Sequence, residues 1–477
     1  MADSEALTPP RPGKRPRHAD PVMLPDDVVV DHILARVPAA AVVRLRAVCR
    51  AWRAALTSDH FVRAHRALRA AAAGDGQPEI VFFAPAAGGS GAGTAFYTCK
   101  LASSDGSGSA EARELVTVGN LPADDLVVLT KPCHGLTLLF QAGSSEYYVC
   151  NLSTGEHVAL PPCAPAAKPD PYGGAYVRSS TGLGFDTAAG EHKVVRLYEE
   201  EERGQQRCEM YSLVSGRGGG GWRPSAGRVP PGVTKCLEGR PPVFLDGCFY
   251  WHMDTGRLGV VEAGILLRSP ERAILSLSVA TEQFGWIRTP AQLAREVRHL
   301  AELDGSLCAV VDLRLVAEEY ELWTWSSPSW SRRCRISLAS LERPMREELG
   351  LGGLRLLPLC TSPADGRILL ATSRHKVYAY DAGSNRVDTV WRMHELVDVP
   401  AEPALMLNIA LHEESVAVVV GGGDVGRRRR LKMEVGKSGE VVGKREGRLE
   451  RHPSDVKPDA FEMMKRMIGL AQMMFHN

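Results

Sequence analysis

LPDDVVVDHILARVPAAAVVRLRAVCRAWRAALTSDHFVRAH, residues 24–65, is the stretch from which the rest of the chain is parsed. Asp26 and Asp27 follow Leu24 and Pro25 and place negative charge where a helix N-terminus favours it. Val29, Ile33 and Val37 recur at fourfold spacing with Val30 and Leu34 beside them, so one side of a first helix is apolar. Pro38 ends that helix. A second begins a few residues on and carries Leu45, Cys49, Trp52 and Leu56 as one stripe, with Arg44, Arg46, Arg50 and Arg53 largely off it. Two short amphipathic helices and a further turn around Asp59, His60 and Phe61 enclose too little core to stand alone. Such a unit borrows apolar cover from a partner or from the rest of the chain. It reads as a small helical docking module.

The same residues resemble the F-box, the segment that attaches substrate receptors to the Skp-family adaptor of cullin-based ubiquitin ligases. The matching features are Leu24-Pro25, Ile33-Leu34, Val37-Pro38, Leu45-Arg46, Val48-Cys49-Arg50, Trp52 and the closing Ser58-Asp59 with Phe61 and His65. The interval from Leu24-Pro25 to Val37-Pro38 is one residue longer than the usual pattern, and His32 falls at the extra place. One inserted residue turns a helix by about 100°, so the first helix is expected to be distorted locally or to start later. The resemblance implies that Leu24, Pro25, Ile33, Leu34, Val37, Pro38, Leu45, Val48, Cys49 and Trp52 bury apolar surface against the adaptor. Some of these must instead hold the module together, Cys49 and Trp52 first among them. The bland alternative is a helical hairpin sealed against the downstream domain.

A chain of 477 residues has material for two or three domains, and 44% hydrophobic with 24% charged residues rules out wholesale disorder. The 57 basic and 56 acidic residues leave a formal charge of +1, so no global field draws the chain to nucleic acid or to a membrane surface. No run approaches the ~18 apolar residues of a membrane span. Residues 1–22 have no apolar core after their charges and read as a disordered leader rather than an export signal; Lys14-Arg15-Pro16-Arg17 there is more simply a solvated tail than a nuclear address. The eleven cysteines are scattered and never spaced C-x-x-C, the usage of reduced thiols inside a cell.

Beyond an Ala-Arg helical stretch that breaks at Gly74-Asp75-Gly76, the periodicity changes. From Ile80 on, short apolar runs alternate with Gly, Pro, Asp and Ser, which is all-β punctuation. One unit recurs: an aromatic or branched strand, a polar turn, and a second strand that often carries Trp or ends in Pro. It runs from Tyr147 to Pro162, from Glu209 to Pro224, from Ile274 to Trp286, from Glu321 to Trp330 and from Val377 to Trp391, with an earlier candidate at Phe96-Tyr97 and a degenerate copy from Leu431 to Val442. The steps between copies run roughly from the mid-forties to the mid-sixties, irregular but near the ~40–50 residues of a propeller blade. Ahead of several copies stands another strand pair around a turn signal: His134-Gly135, Asp246-Gly247, Asp304-Gly305 and Asp365-Gly366. Four strands per copy make a β-propeller the economical reading, with two stacked sandwiches as the rival. The ordered stretches at 132–139, 150–162, 182–197, 241–252, 274–290 and 300–311 are also similar to the F-box-associated β-propeller region of plant receptors.

No catalytic constellation survives inspection. H-E-x-x-H, G-x-S-x-G and the phosphate-binding G-x-x-x-x-G-K-[ST] are all missing. Gly216, Gly218 and Gly221 satisfy G-x-G-x-x-G only because the loop is nearly all glycine, and Trp222-Arg223-Pro224 follows where a helix would be needed. The acids at 199–202 and the arginines at 427–430 read as solvated loops. Histidines lie at no metal-ligand spacing, so no cofactor or metal is expected. A cysteine nucleophile would need partners that only a fold can supply.

The expected fold is thus an α+β multidomain chain: a leader over 1–22, an F-box helical module over 23–70, an all-β propeller of six or seven blades over 78–448, and a short C-terminal helix over 459–476. That helix would place Phe461, Met464, Ile468, Ala471 and Phe475 on one face. The expected function is a non-catalytic substrate-recognition subunit of an SCF-type ubiquitin ligase, in the cytoplasm and/or the nucleus. Its partners would be the Skp-family adaptor, through it the cullin, and an unidentified target protein, with neither nucleic acid nor membrane. The rival is a propeller scaffold or regulator that forms no ligase. A propeller enzyme would instead gather acids at the ring's mouth.

Overall fold

This computed structural model describes residues 28–74, 77–86, 93–101, 112–119, 126–128, 131–141, 146–164, 166, 179–213, 221–237, 241–253, 274–290, 293, 297–352, 354–397, 409–419, 432–435 and 441–442. The leader, the arginines at 427–430, the helix expected over 459–476, and Leu24 and Pro25 lie outside the described residues.

The described strands form six antiparallel sheets, the blades of a propeller. Blade II holds β4 (Leu126–Val128), β5 (Thr137–Gln141), β6 (Glu146–Cys150) and β7 (His157–Ala159). Blade III holds β8 (Ser179–Asp186), β9 (Glu191–Glu199), β10 (Gln206–Leu213) and β11 (Arg223–Pro224). Blade IV holds β12 (Val243–Leu245), β13 (Cys248–His252), β14 (Ile274–Ser278) and β15 (Phe284–Ile287). Blade V holds β16 (Val297–Leu303), β17 (Ser306–Asp312), β18 (Glu319–Ser326) and β19 (Ser329–Ser337). Blade VI holds β20 (Leu356–Thr361), β21 (Ile368–Thr372), β22 (Lys376–Asp381) and β23 (Arg386–Arg392). The repeated unit read from the sequence is the third and fourth strand of each blade. The turn signals ahead of it join the first strand to the second.

Blade I is built from both ends of the chain. Its β1 (Glu79–Pro85), β2 (Thr94–Lys100) and β3 (Ala112–Gly119) take the second to fourth places, and β24 (Ile409–Leu411) supplies the first by pairing antiparallel to β1. The segment from Leu431 to Val442 is therefore not a seventh blade. Its strands, Lys432–Val435 and Val441–Val442, add to the outer edge of β3. The reason is that β3 would otherwise end the sheet with an unpaired row of amides.

Closure shows in the packing. Consecutive residues of a strand face opposite neighbours: Val194 of β9 packs with Leu138 and Val149 of blade II, while Val195 packs with Phe249 and Leu275 of blade IV. Clusters of this kind fill every blade-to-blade junction, including VI to I, where Trp391 lies edge-on to Phe82 at 4.8 Å between ring centroids. A strand buried on both faces reads as an unbroken apolar run rather than an alternating one. That is the pattern seen from Ile80 onward, and two stacked sandwiches would not produce it.

Within a blade the strands alternate in direction, so first-to-second and third-to-fourth turns share one rim. Second-to-third turns and the crossings between blades share the other. Three of the first-to-second turns have two consecutive residues at positive φ, His134-Gly135, Asp246-Gly247 and Asp304-Gly305, the conformation of the tight hairpin turn that matches strand twist. The N-terminal helices enter β1, and the chain leaves β24, on this same rim.

Gly135 and Gly247 make a matched pair: both sit at positive φ, but a Cβ on Gly135 would meet the Ser415 Cβ at 1.9 Å, whereas one on Gly247 meets nothing. Gly247→Ala should cost about 1–2 kcal/mol in urea unfolding, from backbone conformation alone. Gly135→Ala should cost a further ~1–3 kcal/mol for the overlap. Equal costs would mean that residue 415 does not press on this turn.

Candidate functional site

The N-terminal module begins with a π-helical turn, Val28–Ile33, followed by a 3-10 turn, Leu34–Arg36. This is where the sequence carries its extra residue. The wider winding of a π turn takes up one inserted residue locally instead of rotating everything beyond it. Leu34 and Ala35 are consequently buried, while Ile33 is 45% exposed and His32 faces solvent. Val37 is extended, as the residue before a proline prefers, and Pro38 stands at the cap of α1 (Ala39–Leu45).

The second helix expected from the sequence is two. α1 ends at Leu45, the chain turns through Arg46 to Val48, and α2 (Arg50–Leu56) starts after Cys49, which is extended and whose Sγ accepts the Trp52 amide at 3.4 Å. The single stripe is thereby split. Leu56 points into the core, Leu45 and Trp52 are half-buried, and Cys49 and Val48 face outward, Val48 at 62% exposure. Of the ten residues named for docking, Ile33, Pro38, Val48 and Cys49 are exposed, and Val37, Leu45 and Trp52 are half-buried against the module's core. Leu34 belongs to the interior. With four of these residues accessible, the hairpin is not wholly buried.

Its other side is sealed, by a segment that sequence reasoning did not single out. After β24 the chain runs without regular secondary structure through residues 412–419, and Val416 is fully buried in a cluster otherwise made by the module: Leu34, Ala35, Ala39, Val42, Leu56 and Phe61, with Leu45 and Trp52 against it. Arg46, 8% exposed, donates from Nη2 to the Val416 carbonyl at 2.5 Å and to the Leu56 carbonyl at 3.1 Å, and from Nη1 to Glu156 of blade II at 3.2 Å. The Ala39 amide donates to Glu414 Oε1 at 2.7 Å, and Arg69 on α3 (Asp59–Gly74) pairs with the same carboxylate. Blade II grips the segment from beneath. Asn151 Nδ2 donates to the carbonyls of Ser415 and Ala417 at 3.0 and 2.9 Å, and the Val419 amide donates to Glu156 Oε2 at 3.1 Å. The sequence signals for Arg46 were its membership of the Leu45-Arg46 pair and its place four residues after Val42, a buried residue of α1.

Several ionisable groups at this junction are displaced. Burial pushes the Glu414 carboxyl up, but the Ala39 amide and the Arg69 guanidinium outweigh it and hold the group below the usual carboxylate range. Burial drives His65 down despite its contact with the Val37 carbonyl at 3.0 Å. Next to the seat, burial lowers His192 to about 4 and His134 to about 3, with Arg66 adding to both. Glu413 is pushed up by burial.

Among the described residues no group of His, Cys, Asp or Glu is gathered for a metal ion, and burial raises the Cys208, Cys308 and Cys334 thiols to about 12, away from nucleophilic character. On the opposite rim the short turn Arg314–Ala317 presents Leu315 and Val316, 93% and 81% exposed.

The profile of the F-box domain matches residues 23–63, and that of the F-box associated β-propeller domain matches residues 106–351. An F-box protein of Arabidopsis thaliana is 26% identical over 271 residues, 56% of this chain and 51% of that protein, so the chain spans about half of that relative's length. An F-box/LRR-repeat/kelch-repeat protein of the same plant is 26% identical over 322 residues, 65% of this chain and 76% of that one. Among solved structures, a DUF4784 family protein from Bacteroides caccae aligns at 10% identity over 66% of this chain and 70% of its own, with a TM-score of 0.29.

The buried histidines set a pH dependence. The unfolded chain takes up protons near pH 6.5 that the native imidazoles refuse. Stability is therefore full above 6.5 and falls as the pH drops from there toward about 4, the His192 value. Loss of the Glu414 pairing adds to the fall below about 4.3, while Glu413, easier to protonate when folded, opposes it. Melting temperature should thus drop between pH 7 and 5, and His192→Gln should flatten that drop. A level profile in the unsubstituted chain would place these imidazoles in solvent.

Proposed function

The chain belongs to the F-box-associated β-propeller family, whose profile matches just over half of it, and from that premise we propose that it is the substrate-recognition subunit of an SCF-type ubiquitin ligase. F-box domains generally bind Skp-family adaptors, and proteins of this architecture are typically non-catalytic. The observation that carries the reading is the exposure of Ile33, Pro38, Val48 and Cys49, which this reading takes as one apolar strip, on a module whose core is already closed by the chain itself. An adaptor seated there would link the propeller to a cullin, and a target protein held on the propeller would have its lysines raised in effective concentration at the ubiquitin-charged enzyme. No bond is made or broken by this chain in that scheme. The reading assigns it to the cytoplasm, the nucleus or both.

Binding of a purified Skp-family adaptor tests this. Val48→Asp and Ile33→Asp should each weaken adaptor binding at least tenfold, about 1.4 kcal/mol, while unfolding changes by no more than ~0.5 kcal/mol because the positions are exposed. Leu34→Ala should do the reverse at first hand, costing about 2–5 kcal/mol of stability. An intact chain that binds no adaptor would leave the scaffold reading in its place.

A further inference from the structure

β24 is a three-residue strand that meets β1 through three residue pairs, Ile80 with Leu411, Val81 with Ala410 and Phe82 with Ile409. So short a strand adds little on its own, yet it closes the ring. Ile409 is buried between blades VI and I, the His412 amide extends the pairing to the Glu79 carbonyl at 2.8 Å, and the segment that follows is anchored further. Residues 412–419 carry the buried Val416 side chain, the Val416 carbonyl under Arg46, and the Glu414 carboxylate between Ala39 and Arg69. All three of these anchors come from the N-terminal module, beside those that blade II supplies from Asn151 and Glu156, and the chain between β24 and the first of them is only a few residues long.

We propose that the N-terminal module is the latch of the propeller: by gripping residues 412–419 it keeps β24 in blade I, and an adaptor bound on the module's outer strip tightens the closure. Leu45 and Trp52 make the connection, since both belong to the residues read as adaptor-facing, both are half-buried, and both pack on the cluster that contains Val416. A module loosened enough to release Val416 loses the support beneath the strip, so seating of the latch and adaptor binding favour each other reciprocally. The first half stands on the described contacts alone; the second rests on the adaptor reading. Arg46 is then a positioning residue, which acts on the ring through the carbonyl it holds.

Hydrogen exchange on the full chain tests the latch without any adaptor. Arg46→Ala should speed amide exchange in residues 409–411 and in β1 at least tenfold, and leave β17 of blade V unchanged. Val416→Ala, which keeps every backbone group, should act in the same direction and serves if the first variant does not fold. Unchanged exchange at 409–411 in a folded variant overturns the proposal, as does equal acceleration in blade V, which would mean general loosening. Saturating Skp-family adaptor should slow exchange at 409–411 at least threefold, and Arg46→Ala should weaken adaptor binding. Binding without such slowing overturns the coupling. No binding at all overturns the adaptor reading and leaves the latch to the exchange data.

Discussion

A guanidinium buried between two domains dominates this molecule. Arg46 takes a charge out of water, which is costly unless the charge is paired and hydrogen-bonded. Its two terminal nitrogens are engaged from three directions at once, by its own module at Leu56, by the segment after β24 at Val416 and by blade II at Glu156, while Nε has no partner among the described residues. The arrangement fixes which side of the helices faces the β body. It thereby decides which side is left for another polypeptide. The openness of the strip is a consequence of what has been covered behind it.

The propeller obeys a simpler constraint. Each blade must bury both faces, and a ring is the arrangement in which every face finds a neighbour without leaving an end. The chain meets the remaining difficulty, joining first blade to last, by splitting blade I between its two ends. Because β24 arrives and departs on the rim where the helices enter, the residues just after it are the natural ones to fill the gap between helices and ring. Topology, rather than any strong local preference, puts Val416 in the module's core.

Much of this could be read from the sequence. Turn chemistry at Asp246-Gly247 and Asp304-Gly305 and the recurring aromatic strands gave the blade pattern, because hairpin turns and two-sided burial leave local marks. Even the extra residue at His32 showed in the spacing, although not the π turn that absorbs it. Other parts were invisible for a physical reason. The break between α1 and α2 depends on where the Arg46 side chain goes, and that depends on a carbonyl 370 positions away. Leu34 and Ile33, adjacent and similar in kind, end on opposite sides of the module because of one turn's winding. The degenerate strand pair near the C-terminus carried the blade pattern but took an edge position on β3, whose outer edge would otherwise lack a partner.

The shared core also bears on modularity. Chains of this sort are commonly pictured as beads, an adaptor tag strung to a recognition head, each separable by scissors. Here the cut has no clean place. A piece ending before residue 409 would keep the whole described helical module yet lack the valine that fills its interior, and a piece starting at β1 would expose that valine and strand three carboxylates, Glu156, Glu413 and Glu414, without their arginines. Natural shuffling of such tags onto new heads must therefore carry along a distant scrap of the old one, or evolve a substitute plug.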